Sequence, residues 1–325
     1  MKILVIRLAR FGDVVLLLPA LTQLKASLPD AHLSLLTGHR CSPLAEMCPA
    51  IDEVLSVDRI SMRDGPVWRA VTRIGGLVFD VRRRNFDLVM DCHGLGETNL
   101  LAWVSGSKRR FGLKRFDQSY LSFCFNAPPV MEDKSIHVAE MFMRIVQGFG
   151  TSTMPAPPIV VPDDARQWAR RTLPSRPFVA FYIDAPVPER TWPVERFAEV
   201  ADHVVSHWGV NVAVFSGPGR GRLVERCRDR MRFPDRCHAL TDLSIPQLAA
   251  AIETASFLVS NDTGPMHLGP SLGVQTLGIF SVGIPENFRP TGIFDGFVRS
   301  NPIENIETEE VIGKLEEMWR VGTRR

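Results

Sequence analysis

The chain has 325 residues, 45% of them hydrophobic, which is enough to fill two cores of ordinary domain size. Its 38 Lys and Arg residues nearly balance 36 Asp and Glu residues, and this balance argues against a nucleic-acid-binding protein. The six cysteines are scattered without a C-x-x-C pair, so they indicate neither a zinc site nor a disulfide framework and favour a reducing cytoplasm. Arg7, Arg10 and Asp13 interrupt the apolar N-terminal run, so that run predicts neither a signal peptide nor a membrane span.

The first half of the chain alternates short β-branched runs with helical patterns. A strand at Lys2–Arg7 is followed by a polar turn and a helix from about Val14 to Ser27. The other elements predicted in this half are strands at Leu33–Thr37, Val54–Val57 and Leu88–Asp91, and helices at Pro66–Val81 and His137–Phe149. Strands that alternate with helices predict a parallel sheet with helices on both faces.

A proline-rich segment separates this half from a second alternating series. The prolines between residues 155 and 162 support neither a helix nor a central strand, so we predict a domain at 1–154, a linker at 155–162 and a domain at 163–325. The elements predicted in the second half are strands at Phe178–Tyr182, Val210–Phe215, Phe257–Ser260 and Thr276–Phe280, and helices at Val194–His207, Arg222–Arg232, Pro246–Thr254, Pro265–Leu272 and Thr308–Trp319.

These predictions amount to an α/β protein of two Rossmann-like, doubly wound parallel-sheet domains that face a central cleft. In such folds ligands bind at the carboxyl ends of the strands. Packing of the last helix back on the N-terminal domain is left open as an alternative.

The stretch Phe257–Gly273 reads as a buried strand that turns directly into a helix. Residues 261–263 are of types that begin helices, and Gly264-Pro265 gives a tight turn with proline near the first helical position. The helix N-terminus is then open to an anion such as a phosphate, and His267 lies one turn into the helix. An ordinary strand-to-helix connection is the alternative that this loop alone leaves open.

Three other positions point to the same kind of chemistry. Asp13 follows the first strand, where it is either a first-turn acid that stabilises the helix or a general base for an acceptor hydroxyl. Arg190 follows a strand of the second half and offers a fork of donors that matches a diphosphate, with a solvated loop arginine as the alternative. The glycine-rich loop with Gly217 and Gly219 would let backbone amides approach a nucleotide, although it lacks the spacing of the known nucleotide-binding fingerprints.

Further polar groups have two interpretations each. Asp91 and His93 end a strand and serve either substrate contact or structural capping. His203 and His207 are four residues apart on a helix, but no third ligand accompanies them, so a solvated helix face is favoured over a metal site. The first half has basic clusters at Arg82–Arg84, Lys108–Arg110 and Lys114-Arg115. They are solvated surface, or, if they converge in the fold, they attract an anionic acceptor or membrane.

Four groups of residues together match a known family. They are Phe11-Gly12-Asp13-Val14 with Leu18-Pro19-Ala20-Leu21, the strand end from Asp87 to Gly94, Arg190-Thr191-Trp192-Pro193 with Arg196-Phe197, and Asn261-Asp262-Thr263-Gly264-Pro265-Met266-His267. Through them the chain resembles, over nearly its whole length, the heptosyltransferase family of bacterial lipopolysaccharide synthesis, glycosyltransferase family 9. The resemblance implies a GT-B fold in which the C-terminal half binds the donor and the N-terminal half binds the acceptor.

The resemblance also implies a mechanism and a set of site residues. The implied reaction is inverting and needs no catalytic metal: Asp13 accepts the proton of the acceptor hydroxyl, and Arg190 stabilises the departing diphosphate. The implied donor-binding residues, with the glycine-rich loop beside them, are Asp262, Thr263, Gly264, His267, Gly217 and Gly219. The expected acceptor-binding residues are Arg10, Asp91, His93 and Arg110.

The expected partners follow from this assignment. The donor substrate is a nucleotide-diphosphate sugar, with ADP-heptose expected, and no cofactor is needed. The acceptor is a lipopolysaccharide-core or related glycan, and no nucleic acid takes part. We expect a cytoplasmic protein, for which peripheral contact with the inner membrane is compatible with the acceptor.

The chain departs from the family pattern at several positions. Arg190 stands where lysine is usual, and Ala185 and Pro186 stand near usual hydroxyl residues. The acidic residue that could hold the donor ribose has no clear counterpart in Gly217–Gly221, and Glu225 is a candidate. Two alternatives therefore stay open: a nucleotide-sugar epimerase or hydrolase of the same fold, and a non-catalytic scaffold that binds glycan or nucleotide.

Overall fold

The computed structural model describes residues 1–58, 67–150 and 158–322. The chain divides into two compact units, Met1–Val160 and Val161–Arg325. This division lies inside the predicted linker of residues 155–162, of which 155–157 lie outside the described residues.

The first unit contains one six-stranded sheet in the order β3-β2-β1-β4-β5-β6, and neighbouring strands run parallel. Its strands are β1 (Lys2–Arg7), β2 (His32–Gly38), β3 (Glu53–Val57), β4 (Leu88–Asp91), β5 (Arg109–Lys114) and β6 (Val130–Met131). Its described helices are α1 (Phe11–Ser27), α2 (Ser42–Ala45), α3 (Val67–Arg83), α4 (Gly96–Val104) and α5 (Val138–Val146).

The second unit repeats this plan with the sheet order β12-β11-β10-β7-β8-β9, again parallel throughout. Its strands are β7 (Phe178–Tyr182), β8 (Asn211–Phe215), β9 (Cys237–Leu240), β10 (Phe257–Asn261), β11 (Gln275–Phe280) and β12 (Gly296–Arg299). Its described helices are α6 (Asp163–Thr172), α7 (Val194–Trp208), α8 (Gly221–Arg230), α9 (Ile245–Thr254), α10 (Leu268–Ser271), α11 (Pro285–Phe288) and α12 (Thr308–Gly322).

The central strands are apolar and buried because helices cover both faces of each sheet. Ile3 to Ile6 of β1 and every residue of β7 are buried. Each unit has a core of its own, built on Leu4, Ile6 and Val89 in the first and on Phe181, Phe197 and Leu277 in the second. The predicted class, two doubly wound α/β domains, is therefore confirmed.

The winding direction of each sheet reverses once. The strands pass from β1 toward β3 on one side and from β4 toward β6 on the other, so the reversal lies between β1 and β4. In the second unit it lies between β7 and β10. Doubly wound sheets bind ligands at the carboxyl ends of the strands at such a reversal, so the residues that follow these four strands are the natural candidates for a site.

Two elements differ from the sequence predictions. Helix α1 begins at Phe11, three residues before the predicted start, so Asp13 lies inside its first turn. The helix predicted at Pro265–Leu272 is a 3₁₀ turn at Gly264–His267 followed by the four-residue α10, because Pro265 and Pro270 lack the N–H groups of a regular helix.

The last helix, α12, packs on α7 and β12 of its own unit. Within the described parts of the chain, no helix combines the length and the apolar content that crossing a membrane requires.

Candidate active site

An ion pair lies at the carboxyl end of β1. Arg7 is the last residue of β1, and its Nη2 donates to Oδ1 of Asp13 over 2.8 Å. Asp13 is in the first turn of α1, where the N–H groups of the helix favour a negative charge. Its side chain keeps 26% of its surface exposed, against 8% for Arg7. One oxygen of this carboxylate is thus fixed while the group as a whole still reaches solvent.

Arg7 is itself held from two other directions. Its Nη1 donates to the carbonyl oxygen of Cys92, just after β4, over 2.7 Å. Its guanidinium carbon lies 4.9 Å from the ring centroid of Phe142 on α5, in cation–π geometry. No local pattern indicates this role of Arg7, because its contacts with Cys92 and Phe142 join residues far apart in the chain.

The thiol of Cys41 lies near the same carboxylate. Burial raises the pKa of Cys41 to about 11, and the negative charge of Asp13 adds to the increase. The thiol is therefore neutral at physiological pH, and its Sγ–H donates weakly to the carbonyl oxygen of Ala9 over 3.8 Å. This thiol is a packing group and not a nucleophile.

Asp91, at the end of β4, is fully buried. Its Oδ1 accepts hydrogen bonds from the backbone N–H groups of His93 and Gly94 over 2.9 and 3.0 Å, and its Oδ2 accepts one from Asn99 Nδ2 over 2.7 Å. Burial raises the pKa of Asp91, and these donors oppose the increase. Of the two predicted roles, this geometry favours structural capping over contact with an acceptor, and the adjacent His93 is also buried.

Arg110 holds a loop of the first unit. Its Nε donates to the carbonyl oxygen of Cys124 over 2.9 Å, and its Nη1 donates to that of Ser107. The predicted acceptor-binding role would require this side chain to leave both carbonyls. Arg10, by contrast, is exposed immediately before α1, three residues before Asp13 in the sequence.

A second ion pair lies at the carboxyl ends of β7 and β10. Arg190 Nη1 is 3.2 Å from Oδ2 of Asp262, and the two side chains are 32% and 6% exposed. Burial raises the pKa of Asp262, and the charge of Arg190 lowers it to a smaller extent. Arg190 therefore turns part of a fixed cation toward solvent, and the buried carboxylate behind it restrains its position.

Asn261 fixes the two loops that carry this pair. Its side chain is fully buried at the end of β10, donates to the carbonyl oxygen of Ile183 over 2.9 Å and accepts from the N–H of Trp192 over 3.2 Å. The loop after β7 is thereby clamped to the strand that precedes Asp262. Gly283 completes the packing, since a Cβ at this position would overlap Oδ2 of Asp262.

The predicted phosphate loop follows Asp262. Thr263 has extended backbone angles and makes no side-chain capping bond to the 3₁₀ turn that begins at Gly264. His267 closes that turn and is 6% exposed. Arg190 pairs with Asp262 at the start of the segment that continues through Thr263 and Gly264 to His267. The short turn supplies less dipole than the predicted helix.

The glycine-rich loop after β8 is already bonded within the protein. The N–H of Gly217 donates to Oδ2 of Asp184 over 3.3 Å, and that of Gly219, at φ +73°, donates to Oδ1 of Asp242 over 2.8 Å. Arg220 Nε lies 3.3 Å from Oδ1 of Asp184. The two amides expected to face a nucleotide therefore face carboxylates. Asp184, placed directly after β7 in the sequence, was the signal that the prediction overlooked.

The two histidines considered as metal ligands stack on each other. The rings of His203 and His207 have centroids 4.0 Å apart, and His203 Nε2 lies 3.1 Å from Oε1 of Glu316. Within the ranges 1–58, 67–150 and 158–322, no three His, Cys, Asp or Glu side chains are grouped to hold a metal ion.

Comparison with known proteins identifies the family. A family model described as glycosyltransferase family 9 (heptosyltransferase) matches residues 76–316. Lipopolysaccharide heptosyltransferase 1 of Pseudomonas aeruginosa is 26% identical over 303 residues, which cover 90% of this chain and 81% of that protein. Lipopolysaccharide core heptosyltransferase OpsX of Haemophilus influenzae is 22% identical over 299 residues, which cover 90% and 83%.

Solved structures match the fold over the full length of the chain. The ADP-heptose lipopolysaccharide heptosyltransferase II of Escherichia coli has a TM-score of 0.80 at 18% identity and covers 99% of each chain. The Escherichia coli heptosyltransferase WaaC with ADP has a TM-score of 0.82 at 18% identity and covers 98% of this chain and 100% of that one. Since the family model spans residues 76–316 of the 325, the chain belongs to glycosyltransferase family 9, the heptosyltransferase family, and is a glycosyltransferase of GT-B fold.

Proposed function

We propose that this protein transfers a heptose, with inversion and without a catalytic metal, from ADP-heptose to a lipopolysaccharide-core acceptor. The acceptor class is supported by the two bacterial relatives, which are both lipopolysaccharide heptosyltransferases. The donor is supported by the two similar Escherichia coli structures. One is an ADP-heptose lipopolysaccharide heptosyltransferase, and the other is a heptosyltransferase with ADP.

The reaction is a single displacement at the anomeric carbon. The acceptor hydroxyl gives its proton to Asp13, and its oxygen forms the new bond to the anomeric carbon. The bond from that carbon to the diphosphate oxygen breaks, and ADP leaves with the electron pair. Attack opposite the leaving group inverts the configuration, and no other reactant is needed to balance the step.

The single observation that carries the proposal is the state of Asp13. A general base needs a free oxygen that a substrate can reach, and this carboxylate has one oxygen held by Arg7 while 26% of the side chain remains exposed. An acid that served only to stabilise α1 would not need a buried partner such as Arg7, which Cys92 and Phe142 also hold in place.

In this proposal the second unit stabilises the leaving group. Diphosphate carries negative charge that grows as the sugar departs, and a preorganised arginine stabilises such charge without a metal. Arg190 is partly exposed and is restrained by Asp262, so its guanidinium can bind the diphosphate while Asp262 continues to hold the other side of the group. The uncapped turn at Thr263 and Gly264 adds backbone donors for the same phosphates.

The decisive experiment compares Asp13→Asn with the wild type in transfer and in donor binding. We expect Asp13→Asn to lose transfer by a factor of 10² or more, a typical contribution of a general base, while its affinity for ADP measured by calorimetry stays within about twofold. Asp30→Asn, at an exposed acid of the same unit, is the matched control and should keep full activity. Unchanged transfer in Asp13→Asn would remove the proposed base.

A second assay separates the alternatives that the sequence left open. The protein is incubated with donor, with and without a glycan acceptor, in excess EDTA. Transfer that requires acceptor and persists in EDTA supports the proposal. Conversion of donor alone would indicate an epimerase or hydrolase, and binding of ADP without any turnover would indicate a scaffold.

A further inference from the structure

The first unit exposes apolar side chains on two neighbouring helices. The inward sides of α3 and α4 cover the same face of the sheet and share one core through Leu77, Val81 and Leu101. The helices contact each other, and Arg82 at the end of α3 donates from Nη1 to the carbonyl oxygen of Val104 at the end of α4 over 3.3 Å. Because they lie side by side in one layer, their outward sides form one surface.

That outward surface is rich in large apolar residues. Phe79 of α3 is 69% exposed, and Trp103 of α4 is 49% exposed and meets the ring of Phe123 edge-on, with centroids 6.0 Å apart. The remaining exposed apolar residues of this surface are Trp68, Val71, Leu100 and Phe123, between 43% and 64% exposed. Single exposed apolar residues are ordinary, but a group of six on one surface, four of them aromatic, marks an interaction surface.

The charge around the surface is positive. The sequence of α3 carries four arginines and one aspartate, and that aspartate, Asp80, is paired with Arg83 and Arg84 over 3.1 Å. Arg82 and Arg83 end α3, and exposed Lys108 follows the end of α4, so a basic rim lies at the C-terminal ends of both helices. The other acid on these helices, Glu97, is at the opposite end of α4.

We propose that this surface, which we call the α3–α4 face, docks the protein on an anionic lipid bilayer. Phe79, Leu100 and Trp103 enter the boundary between headgroups and acyl chains, where aromatic side chains are favoured. Arg82, Arg83 and Lys108 contact lipid phosphates, each adding electrostatic attraction to the apolar term. A soluble protein partner or a second copy of this chain would not need this pairing of exposed aromatics with a basic rim.

The test is co-sedimentation of the full chain with phosphatidylglycerol vesicles and with phosphatidylcholine vesicles, neither of which contains a glycan acceptor. The inference thus stands or fails independently of the proposed reaction. We expect wild-type protein to bind the anionic vesicles and to bind the neutral ones more weakly. The double variant Phe79→Ser, Trp103→Ser should reduce the partition constant at least tenfold, since it removes the burial of two aromatic side chains.

Charge variants and controls complete the design. Arg82→Gln with Arg83→Gln should reduce binding to anionic vesicles roughly tenfold and weaken the preference for them over neutral vesicles, because only Lys108 of the three cations is kept. Ile293→Ser in the second unit, where Ile293 is 93% exposed, is the matched control and should bind as the wild type does. Unchanged melting temperatures and ADP binding would show that the variants are folded.

Two results would overturn the proposal. One is wild-type protein that stays in the supernatant with phosphatidylglycerol vesicles. The other is a wild-type dimer in sedimentation velocity that Phe79→Ser, Trp103→Ser converts to monomer, because the α3–α4 face would then be covered by a second copy.

Discussion

At the scale of single residues, Asp13 and Asp262 show two ways to place a carboxylate beside an arginine. In the first unit the arginine is buried and the acid is partly exposed, whereas in the second the acid is buried and the arginine is partly exposed. In each pair the group that reaches solvent is the one for which we propose a chemical role, a base in one case and a cation for diphosphate in the other. We propose that the buried member of each pair is a positioning residue.

The first prediction concerns Arg7 as the positioning residue of Asp13. Arg7→Met should lower kcat with little change in ADP affinity, because Asp13 loses the contact that orients it. It should also destabilise the fold by about 1–3 kcal/mol, since a buried charge and its partners are disrupted. Urea unfolding and steady-state kinetics measure the two effects.

The control for Arg7 is Arg40→Met, at an exposed arginine of the same unit. A double-mutant cycle of Arg7→Met and Asp13→Asn measures the coupling free energy between the two residues in unfolding. We expect this coupling to exceed about 0.5 kcal/mol. Strict additivity of the two substitutions would mean that the ion pair does not link them.

The second prediction is the pH dependence of Asp262. Because burial raises its pKa, the folded state holds the proton more tightly than the unfolded state. The stability that the group contributes is therefore complete below about pH 4 and is lost as pH rises through the raised pKa. Asp262→Asn cannot ionise, so it should raise Tm at neutral pH and change it little below about pH 4.

Calorimetry over this pH range measures that difference directly. The same substitution should weaken ADP binding, because Arg190 loses its restraint, so stability and function would change in opposite directions. A lower Tm at neutral pH would instead mean that the attraction between Asp262 and Arg190 outweighs the cost of burial.

At the scale of elements, the sequence predicted β1 to β4 of the first sheet, including the edge strand β3, and β7, β8, β10 and β11 of the second. The predicted bounds of β1, β4 and β7 equal the observed ones, because those strands are continuous apolar runs. Strand β5, of sequence Arg-Arg-Phe-Gly-Leu-Lys, was not predicted, and its ends were interpreted as basic clusters. Charged residues at its ends mask the strand in the sequence, whereas its pairing with β4 and β6 shows it in the structure.

The same limit applies to the candidate site. Asp13, Arg190 and the loop from Asp262 to His267 lie in the segments that follow β1, β7 and β10, so a local pattern could indicate them. Arg7 is held by Cys92 and Phe142, which are distant in sequence, so no local pattern distinguishes it. Asp184 lies two residues after β7, so its position alone marks it, but its partner Gly217 is distant in sequence.

The third prediction compares two glycines within helices. A Cβ at Gly313 in α12 would meet no atom within 4 Å, so Gly313→Ala should stabilise the protein by about 0.5–1 kcal/mol through helix propensity. A Cβ at Gly269 in α10 would overlap Oγ1 of Thr276, so Gly269→Ala should destabilise it by about 1–3 kcal/mol. Chemical denaturation of the two variants tests both signs, and an equal effect from the two would contradict the packing around Gly269.

At the scale of the whole molecule, each unit has its own sheet and its own core. Domains with separate cores commonly unfold in separate steps. The chain is therefore expected to unfold in two transitions, and only the transition of the second unit should rise in temperature when ADP is added, because ADP is proposed to bind there.

The fourth prediction assigns the two transitions by matched core substitutions. Leu4 and Leu277 are fully buried in the first and second core. Each substitution to Ala should cost about 2–5 kcal/mol in its own unit. In calorimetry, Leu277→Ala should lower the transition that ADP raises, and Leu4→Ala should lower the other. One cooperative transition that both variants shift equally would show that the units unfold together.

The strand order of the two sheets allows the two units to be compared position by position. Counted from its own first strand, each sheet has the same order, since β7 takes the place of β1 and β10 that of β4. The fourth strand of each ends in a fully buried polar residue, Asp91 or Asn261, whose side chain bonds the loops around it. Each unit therefore uses one buried polar side chain at the same point of the fold to hold nearby loops. The groups proposed to react differ: a carboxylate, Asp13, in the first unit and a guanidinium, Arg190, in the second.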